Sequence, residues 1–132
     1  GADAIDISHS SVSISNVTML NITDKGLSIG ESAQVEMDGF YVTNALVGLA
    51  VKDSSLLEAK NITLSDISLA DVMAYNKKSH FKGASVLIEN LDSAQPQFLN
   101  QNGSQMRING INVEPSKIDI DSLYESLMKS IK

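Results

Sequence analysis

Apolar residues along the chain alternate with polar residues in short segments, and these segments recur at a nearly constant interval. Leu27 and Leu49 lie 22 residues apart, and Ile5 precedes Leu27 by the same interval. Two positions later in each repeat, a second set of aligned apolar residues contains Ile7, Ile29, Val51 and Ala74. Alternation with a period of two is typical of a strand that buries one face. The interval therefore indicates a repeating unit built from strands.

Each repeat contains two further strand-like segments after the first. The second segment has its apolar pairs at Val12/Ile14, Val35/Met37, Leu57/Ala59, Val86/Ile88 and Met106/Ile108. The third segment has its apolar pairs at Val17/Met19, Phe40/Val42, Ile62/Leu64 and Ile111/Val113. These segments are too short for helices, and three of them in one repeat match one coil of a β-helix. We therefore predict an all-β fold, a right-handed parallel β-helix of about five coils.

The residues at the bend between the second and third segments support this prediction. They form a structural corner ladder of Asn16, Gly39, Asn61, Asn90 and Gly110. Asparagine and glycine tolerate a left-handed backbone conformation better than other residues, so we expect a positive φ at each of these positions. A second column, after the third segment, contains Asn21, Asn44 and Asp66. We expect side chains of this column to form hydrogen bonds from coil to coil.

The last residues of the chain follow a different period. Leu123, Leu127 and Ile131 are spaced by four, which places them on one face of a helix. Ser122 and Glu125 fit a capping box at the start of that helix. The sequence therefore predicts a short C-terminal helix.

The two predicted ends of the β-helix differ. We assign residues 1–118 to the coils and residues 119–132 to a helix that caps the last coil. At the other end no comparable cap precedes Ile5, which leaves apolar interior residues and a strand edge uncovered. We therefore expect upstream coils of a longer protein, or self-association through the N-terminal coil at residues 5–14.

The composition narrows the range of functions. The 132 residues carry a formal net charge of −6, with a pI near 4.7, and an acidic surface disfavours nucleic-acid binding. No apolar run reaches the roughly 20 residues that a membrane span needs. The chain contains no cysteine, which excludes disulfides and thiolate metal ligands. We expect no cofactor, no metal site and no catalytic residues.

The fourth coil is longer than the others because a loop is inserted at residues 75–85. On an otherwise acidic protein, this loop concentrates basic and aromatic residues. They are Tyr75, Lys77, Lys78, His80, Phe81 and Lys82. Such a cluster would bind an anionic sugar, a phosphate or an acidic partner surface. The alternative is a solvated loop whose aromatic side chains cover the edge of the coil.

Carboxylates are expected to stack on adjacent coils. Glu36 aligns with Glu58 in the repeat, and Glu31 aligns with Asp53. Paired carboxylates would hold Ca²⁺ or act as acid and base, as a β-helix that processes acidic polysaccharides requires. The alternative is an ordinary solvated surface, since Lys60 is expected beside Glu36.

Three segments resemble a known group of proteins. They are GLSIGESAQVEMDGFYVTNALVGLAVKDSSLLEAKNITL, MAYNKKSHFKG and VLIEN. They are similar to the right-handed β-helix repeats of bacterial surface and envelope proteins, and in particular to the β-helix region that accompanies the spore-coat CotH-type module. The resemblance covers roughly residues 5–92. It implies an extracytoplasmic or cell-surface scaffold beside another domain, without the kinase-like residues of the CotH-type module.

Two functions remain open from the sequence. The first is a non-catalytic structural or interaction module, the C-terminal part of a larger bacterial extracytoplasmic β-helix protein. Its partner would be an upstream domain of the same protein or a second copy of the chain. The alternative is a carbohydrate-binding or carbohydrate-processing β-helix, with a polysaccharide as its partner.

Overall fold

The computed structural model describes residues 3–131, with side chains described through residue 126. In this part of the chain, a parallel β-solenoid of about five coils precedes a single short helix, which confirms the predicted fold class. The strands are β1 (Ile5–Ser8), β2 (Ser11–Leu20), β3 (Lys25–Gly30), β4 (Gln34–Lys52), β5 (Leu56–Tyr75), β6 (Ser85–Asp92), β7 (Phe98–Asn100), β8 (Gln105–Ile108) and β9 (Ile111–Asn112). The helix is α1 (Ile120–Ile131).

The coils have three faces, each a ladder of parallel strands. Face A contains β1, β3, residues 47–52 of β4, residues 70–75 of β5, and β7. Face B contains residues 11–15, 34–38, 56–60 and 85–89, and β8. Face C contains residues 17–20, 40–43, 62–65 and 91–92. On face A, Leu27 pairs with Ile5 on one side and with Leu49 on the other, as the predicted interval requires.

The inward side chains form one aliphatic core along the stack. Its largest fully buried members are Phe40, Leu27, Ile29, Leu49, Leu57, Ile62, Leu64 and Ile88. Full burial of one such side chain stabilises the fold by about 1.5–3 kcal/mol. An isolated coil would leave these side chains open on both sides, so each coil depends on its neighbours.

The bend between faces B and C has the predicted backbone conformation. The φ angle is 53° at Asn16, 83° at Gly39, 60° at Asn61, 58° at Asn90 and 79° at Gly110. Side chains of this ladder also join the coils. Asn90 Nδ2 donates to Asn61 Oδ1 at 2.7 Å, and Asn61 Nδ2 donates to Asp38 Oδ1 at 2.8 Å. The ladder therefore sets both the bend and the connection between coils.

The other two bends also use left-handed residues. Between faces C and A, positive φ angles occur at Asn21, Asn44 and Asp66. The predicted hydrogen bond between coils is confirmed for one pair, because Asn44 Nδ2 donates to Asn21 Oδ1 at 2.9 Å. Between faces A and B, positive φ angles occur at His9, Glu31, Ser32, Asp53 and Ser54.

The fifth coil does not complete its third strand. The prediction that Ile111 and Val113 form an inward pair on face C is wrong, because β9 folds back antiparallel on β8. Of the two side chains, Val113 packs against the core and Ile111 does not. The two connecting residues, Asn109 and Gly110, have φ angles of 52° and 79°, as a two-residue type I′ hairpin requires. Ile111 is consequently 70% exposed.

Three sets of contacts close the C-terminal end of the solenoid. On face C, Asn109 Oδ1 accepts from Leu91 N at 2.9 Å, and Asn109 Nδ2 donates to Leu91 O at 3.0 Å. On face B, β9 covers β8. On face A, Ser116 forms a bridge with Gln101 and donates its N–H to Asn100 O at 2.9 Å. An exposed edge strand pairs readily with other chains, and these contacts close this end of the solenoid.

Helix α1 lies against the outside of face A. Its residues Ile120 and Tyr124 pack on a second apolar cluster. The buried members of this cluster are Leu46, Val47, Ala50, Ala70, Met73 and Tyr75. The predicted helix is confirmed. Its predicted position over the last coil is wrong, because its described side chains pack on the outside of face A. The side chains of Leu127 and Ile131 lie outside the described residues.

The N-terminus of α1 is capped by Asp119. Ser122 N donates to Asp119 Oδ1 at 3.1 Å, and Ser122 Oγ donates to Asp119 Oδ2 at 2.9 Å. These hydrogen bonds hold the pKa of Asp119 below its usual value. The prediction that Ser122 is the capping residue is therefore wrong, because Ser122 lies inside the first turn and donates to the true cap.

Candidate functional site

The inserted loop is an ordered structure built on Asp53. This residue lies at the bend between faces A and B and has no exposed surface. Its Oδ1 accepts hydrogen bonds from Lys77 N at 2.7 Å, from Lys78 N at 2.9 Å and from Asn76 Nδ2 at 3.3 Å. The buried carboxylate therefore fixes the start of the loop.

The end of the loop is fixed by Ser54. Ser54 N donates to Lys82 O at 2.8 Å, and Lys82 N donates to Ser54 Oγ at 2.8 Å. Inside the loop, Asn76 Nδ2 lies 2.9 Å from Lys78 O and 2.7 Å from Phe81 O. The loop is thus held at both ends and across its middle, as in a compact Ω-loop.

The predicted basic cluster is only partly assembled. The exposed basic residues are Lys77, Lys78, His80 and Lys82. The Lys78 ammonium pairs with the Glu31 carboxylate, which also contacts His9 Nε2. The ring of Phe81 lies 4.4 Å from the ring of His80, centroid to centroid. Because Lys78 is paired with a carboxylate, the loop presents less positive charge than the sequence suggests.

Tyr75 lies apart from the other candidate residues. It is the last residue of β5, it is only 3% exposed, and it belongs to the apolar cluster beneath α1. Burial raises the pKa of its hydroxyl, so the side chain remains neutral at physiological pH. The inserted loop accordingly begins at Asn76, and Tyr75 is removed from the candidate cluster because the helix covers it.

The contacts of Glu31 predict a pH dependence. The hydrogen bond from Lys78 holds the pKa of Glu31 below its ordinary value of 4.5. A carboxylate with a lowered pKa stabilises the folded state above its ordinary pKa, and this contribution is lost as the pH falls through the lowered value. We expect the amide NMR shifts of the loop to change in acid below the ordinary pKa of a glutamate. The Glu31→Gln variant should lack this transition, and Glu36→Gln should retain it.

A groove of about 440 Å³ follows the outside of face B. Its polar lining includes Ser13, Glu36, Asp38, Glu58, Lys60 and Glu89. Glu36 and Glu58 are directly paired in the ladder, so their position on adjacent coils is as predicted. Asp38 and Lys60 form an ion pair with 3.8 Å between the charged atoms. The charged side chains of the groove are therefore mainly acidic, and the groove crosses several coils.

The N-terminal edge of the solenoid is unpaired within the described residues. There β1 pairs with β3 alone, and β2 pairs with β4 alone. The first-coil side chains Val12, Val17 and Met19 are only partly buried, and Leu20 is 63% exposed. The outer backbone groups of β1 and β2 are therefore available for strand pairing.

The described residues give two further findings. No group of three or more described His, Asp and Glu side chains is placed to hold a metal ion. Within residues 3–131, no helix combines the length and the apolar character that crossing a membrane requires.

Comparison with protein-family models, with curated proteins and with solved structures returned no significant match.

Proposed function

We propose that the chain is a non-catalytic structural and interaction module, a terminal stack of β-helix coils that accepts a further strand partner at one end. The observation that carries this proposal is the difference between the two ends. The fifth coil is closed by β9, Asn109 and Ser116. Within the described residues, β1 and β2 are paired on one side only.

Two partners fit the open end: an upstream segment of the same protein, or a second copy of the chain. Strand addition at a sheet edge gains affinity from main-chain hydrogen bonds. The inward side chains of Ile5, Val12 and Val17 would be buried by the added strands. With an upstream partner, the chain is the C-terminal part of a larger β-helix protein. The resemblance to bacterial surface β-helix repeats supports an extracytoplasmic setting for it.

Opening the closed end tests this proposal. Asn109→Gly removes both hydrogen bonds to Leu91 and still permits the positive φ. Ser116→Pro removes the donor to Asn100 O. The double variant frees the edges of faces A and C at this end, while β9 still covers β8 on face B. These two faces of the last coil of one chain can then pair with the first coil of the next, which gives head-to-tail growth. In sedimentation velocity, we expect the double variant to form species larger than a dimer that increase with concentration.

The matched control is Asn90→Gly, which makes the same change at a left-handed corner within the stack. It removes the hydrogen bond to Asn61 without opening an end, so its size distribution should match that of the unsubstituted chain. Circular dichroism checks that strand content is retained. A folded double variant that never exceeds the size of the unsubstituted chain would contradict the proposal.

A second candidate function is carbohydrate binding or processing in the groove of face B. It is supported by the stacked carboxylates of Glu36 and Glu58 and by the open course of the groove across the coils. Ca²⁺ would there be bound jointly by the paired carboxylates and by the carboxylates of an acidic polysaccharide, since two glutamates alone supply too few oxygen ligands. A screen for binding and turnover with and without Ca²⁺ tests this candidate. It fails if the Glu36→Gln/Glu58→Gln variant behaves as the unsubstituted chain does.

A further inference from the structure

We infer that two copies of this chain pair face to face through their first coils, about a two-fold axis that crosses face B at Ser13. The inference rests on the proposed function, because it names the partner of the open end. The pairing uses the outer backbone edges of β1 and β2, which are free of strand partners in the described residues.

The lengths of the three edges select the position of the axis. A two-fold axis that is perpendicular to the solenoid and lies in the plane of its open end makes all facing strands antiparallel. One face then meets the same face of the other copy, and the remaining two faces meet each other. Exchanged faces overlap along most of their length only if their edges are equally long. Face A contributes the four residues Ile5–Ser8, and face C contributes residues 17–20. Face B contributes residues 11–15, so it pairs with itself around its central residue, Ser13.

The charges of the first coil favour the same axis. On face B, the outward side chains of the edge are Ser11, Ser13 and Ser15, so self-pairing of this face brings no like charges together. Self-pairing of face A would instead bring two Asp6 carboxylates close to each other. Like charges on facing strands are destabilising.

The inward side chains fit the exchange of faces A and C. In a register offset by one residue from end-to-end alignment, Ile5 and Ile7 of one copy would face Met19 and Val17 of the other copy, respectively, so that inward side chains meet inward side chains. Ile5, Val17 and Met19 are partly buried in the single chain, and pairing would bury them further. Because the fifth coil is closed, association through the first coil stops at the dimer.

Single cysteines report the axis directly, because the chain contains none of its own. Residues directly opposite each other in an antiparallel pair have Cα atoms about 4.5–5.5 Å apart, within the range of a disulfide. The Ser13→Cys variant is therefore expected to become mainly a covalent dimer under mild oxidation, seen as a doubled mass on a non-reducing gel.

The control is Ser15→Cys on the same strand and the same face. In the dimer, position 15 lies opposite Ser11 of the other copy, and the two copies of position 15 are about 13 Å apart, too far for a disulfide. Ser15→Cys alone and Ser11→Cys alone should remain monomeric on the gel, whereas a mixture of these two variants should cross-link.

Cross-linking of Ser13→Cys and of the mixture, with no cross-linking of the two single controls, supports the inferred axis. Equal cross-linking of Ser13→Cys and Ser15→Cys would overturn it. Sedimentation of the unsubstituted chain that shows only monomer throughout the micromolar range would also overturn it. Neither result decides the proposed function, because growth of the Asn109→Gly/Ser116→Pro variant tests strand addition separately.

Discussion

Replacing Gly48 by alanine is expected to lower the free energy of unfolding by about 3 kcal/mol. Gly48 lies on face A of the third coil, where an added Cβ would be 2.6 Å from the backbone O of Asp71 in the next coil. The same Cβ would be 3.0 Å from a methyl group of Leu64. The Asp71 carbonyl belongs to a continuous ladder, so it cannot move without disturbing several strand hydrogen bonds. Chemical denaturation measures the loss.

The matched control for Gly48 is Gly30→Ala, also on face A. There the added Cβ would meet only the side chain of Lys52, with its Cε at 3.1 Å. A lysine side chain can rotate away, so we expect a change below about 1 kcal/mol. Equal losses in the two variants would show that the approach of neighbouring coils does not explain Gly48.

Removing the Asp53 carboxylate is expected to release the inserted loop. Asp53→Gly still permits the φ of 54° at this position, but it leaves Lys77 N and Lys78 N without their acceptor. A hydrogen bond to a charged group contributes about 1.5–3 kcal/mol, so we expect a total loss of about 3 kcal/mol from the two bonds. We also expect rapid tryptic cleavage after the exposed lysines of the loop, followed by mass spectrometry.

Asp53→Asn is the control for this release. Asparagine keeps an acceptor oxygen and tolerates a positive φ, so the loop should remain anchored and cleavage should stay close to the native rate. If Asp53→Asn were cleaved as fast as Asp53→Gly, a simple loss of the acceptor could not be the cause. Slow cleavage in both variants would show that Asp53 is not the anchor.

The coils and two of their bends could be predicted because stacking repeats one environment along the sequence. Leu27 and Leu49 show their pairing through their interval alone, and Asn61 identifies a bend because few other residues tolerate positive φ. The bend between faces A and B could not be predicted in the same way. It contains Glu31 and Ser32 in the left-handed region, and these residue types carry little conformational information.

The predicted position of α1 is wrong because the inward apolar positions of the repeat do not indicate which outer face is covered. Val47, Ala50, Ala70 and Met73 belong to the outer cluster of face A and have no exposed surface. Their segments form nearly continuous apolar runs, which are typical of strands covered on both faces. These runs indicated that the outside of face A must be covered, and α1 covers it.

The sequence also contains a pattern that indicates the hairpin at Asn109 and Gly110. An Asn-Gly pair between Ile108 and Ile111 is typical of a tight β-hairpin. Because Gly110 falls in register with the corner ladder, the repeat pattern assigned it to a further bend. The two interpretations share a positive φ and differ only in the direction of the next strand.

The stacked carboxylates of the groove could be predicted, whereas the contacts of the loop could not. Glu36 and Glu58 follow the repeat, so their alignment is a direct consequence of coil stacking. Lys78 and Glu31 are 47 residues apart, and their contact depends on the conformation of an inserted loop. No second copy of that loop exists in the sequence from which its contacts could be inferred.

Hydrogen exchange in the two terminal coils tests most directly the claim that one end of the solenoid is open and the other closed. In dilute solution, we predict that amides of β8 facing away from β6 exchange slowly, because β9 and the following segment cover that edge. Amides of β2 facing away from β4 should exchange much faster and become protected as the protein concentration rises. Equally slow exchange in both strands in dilute solution, or equally fast exchange in both, would contradict the account.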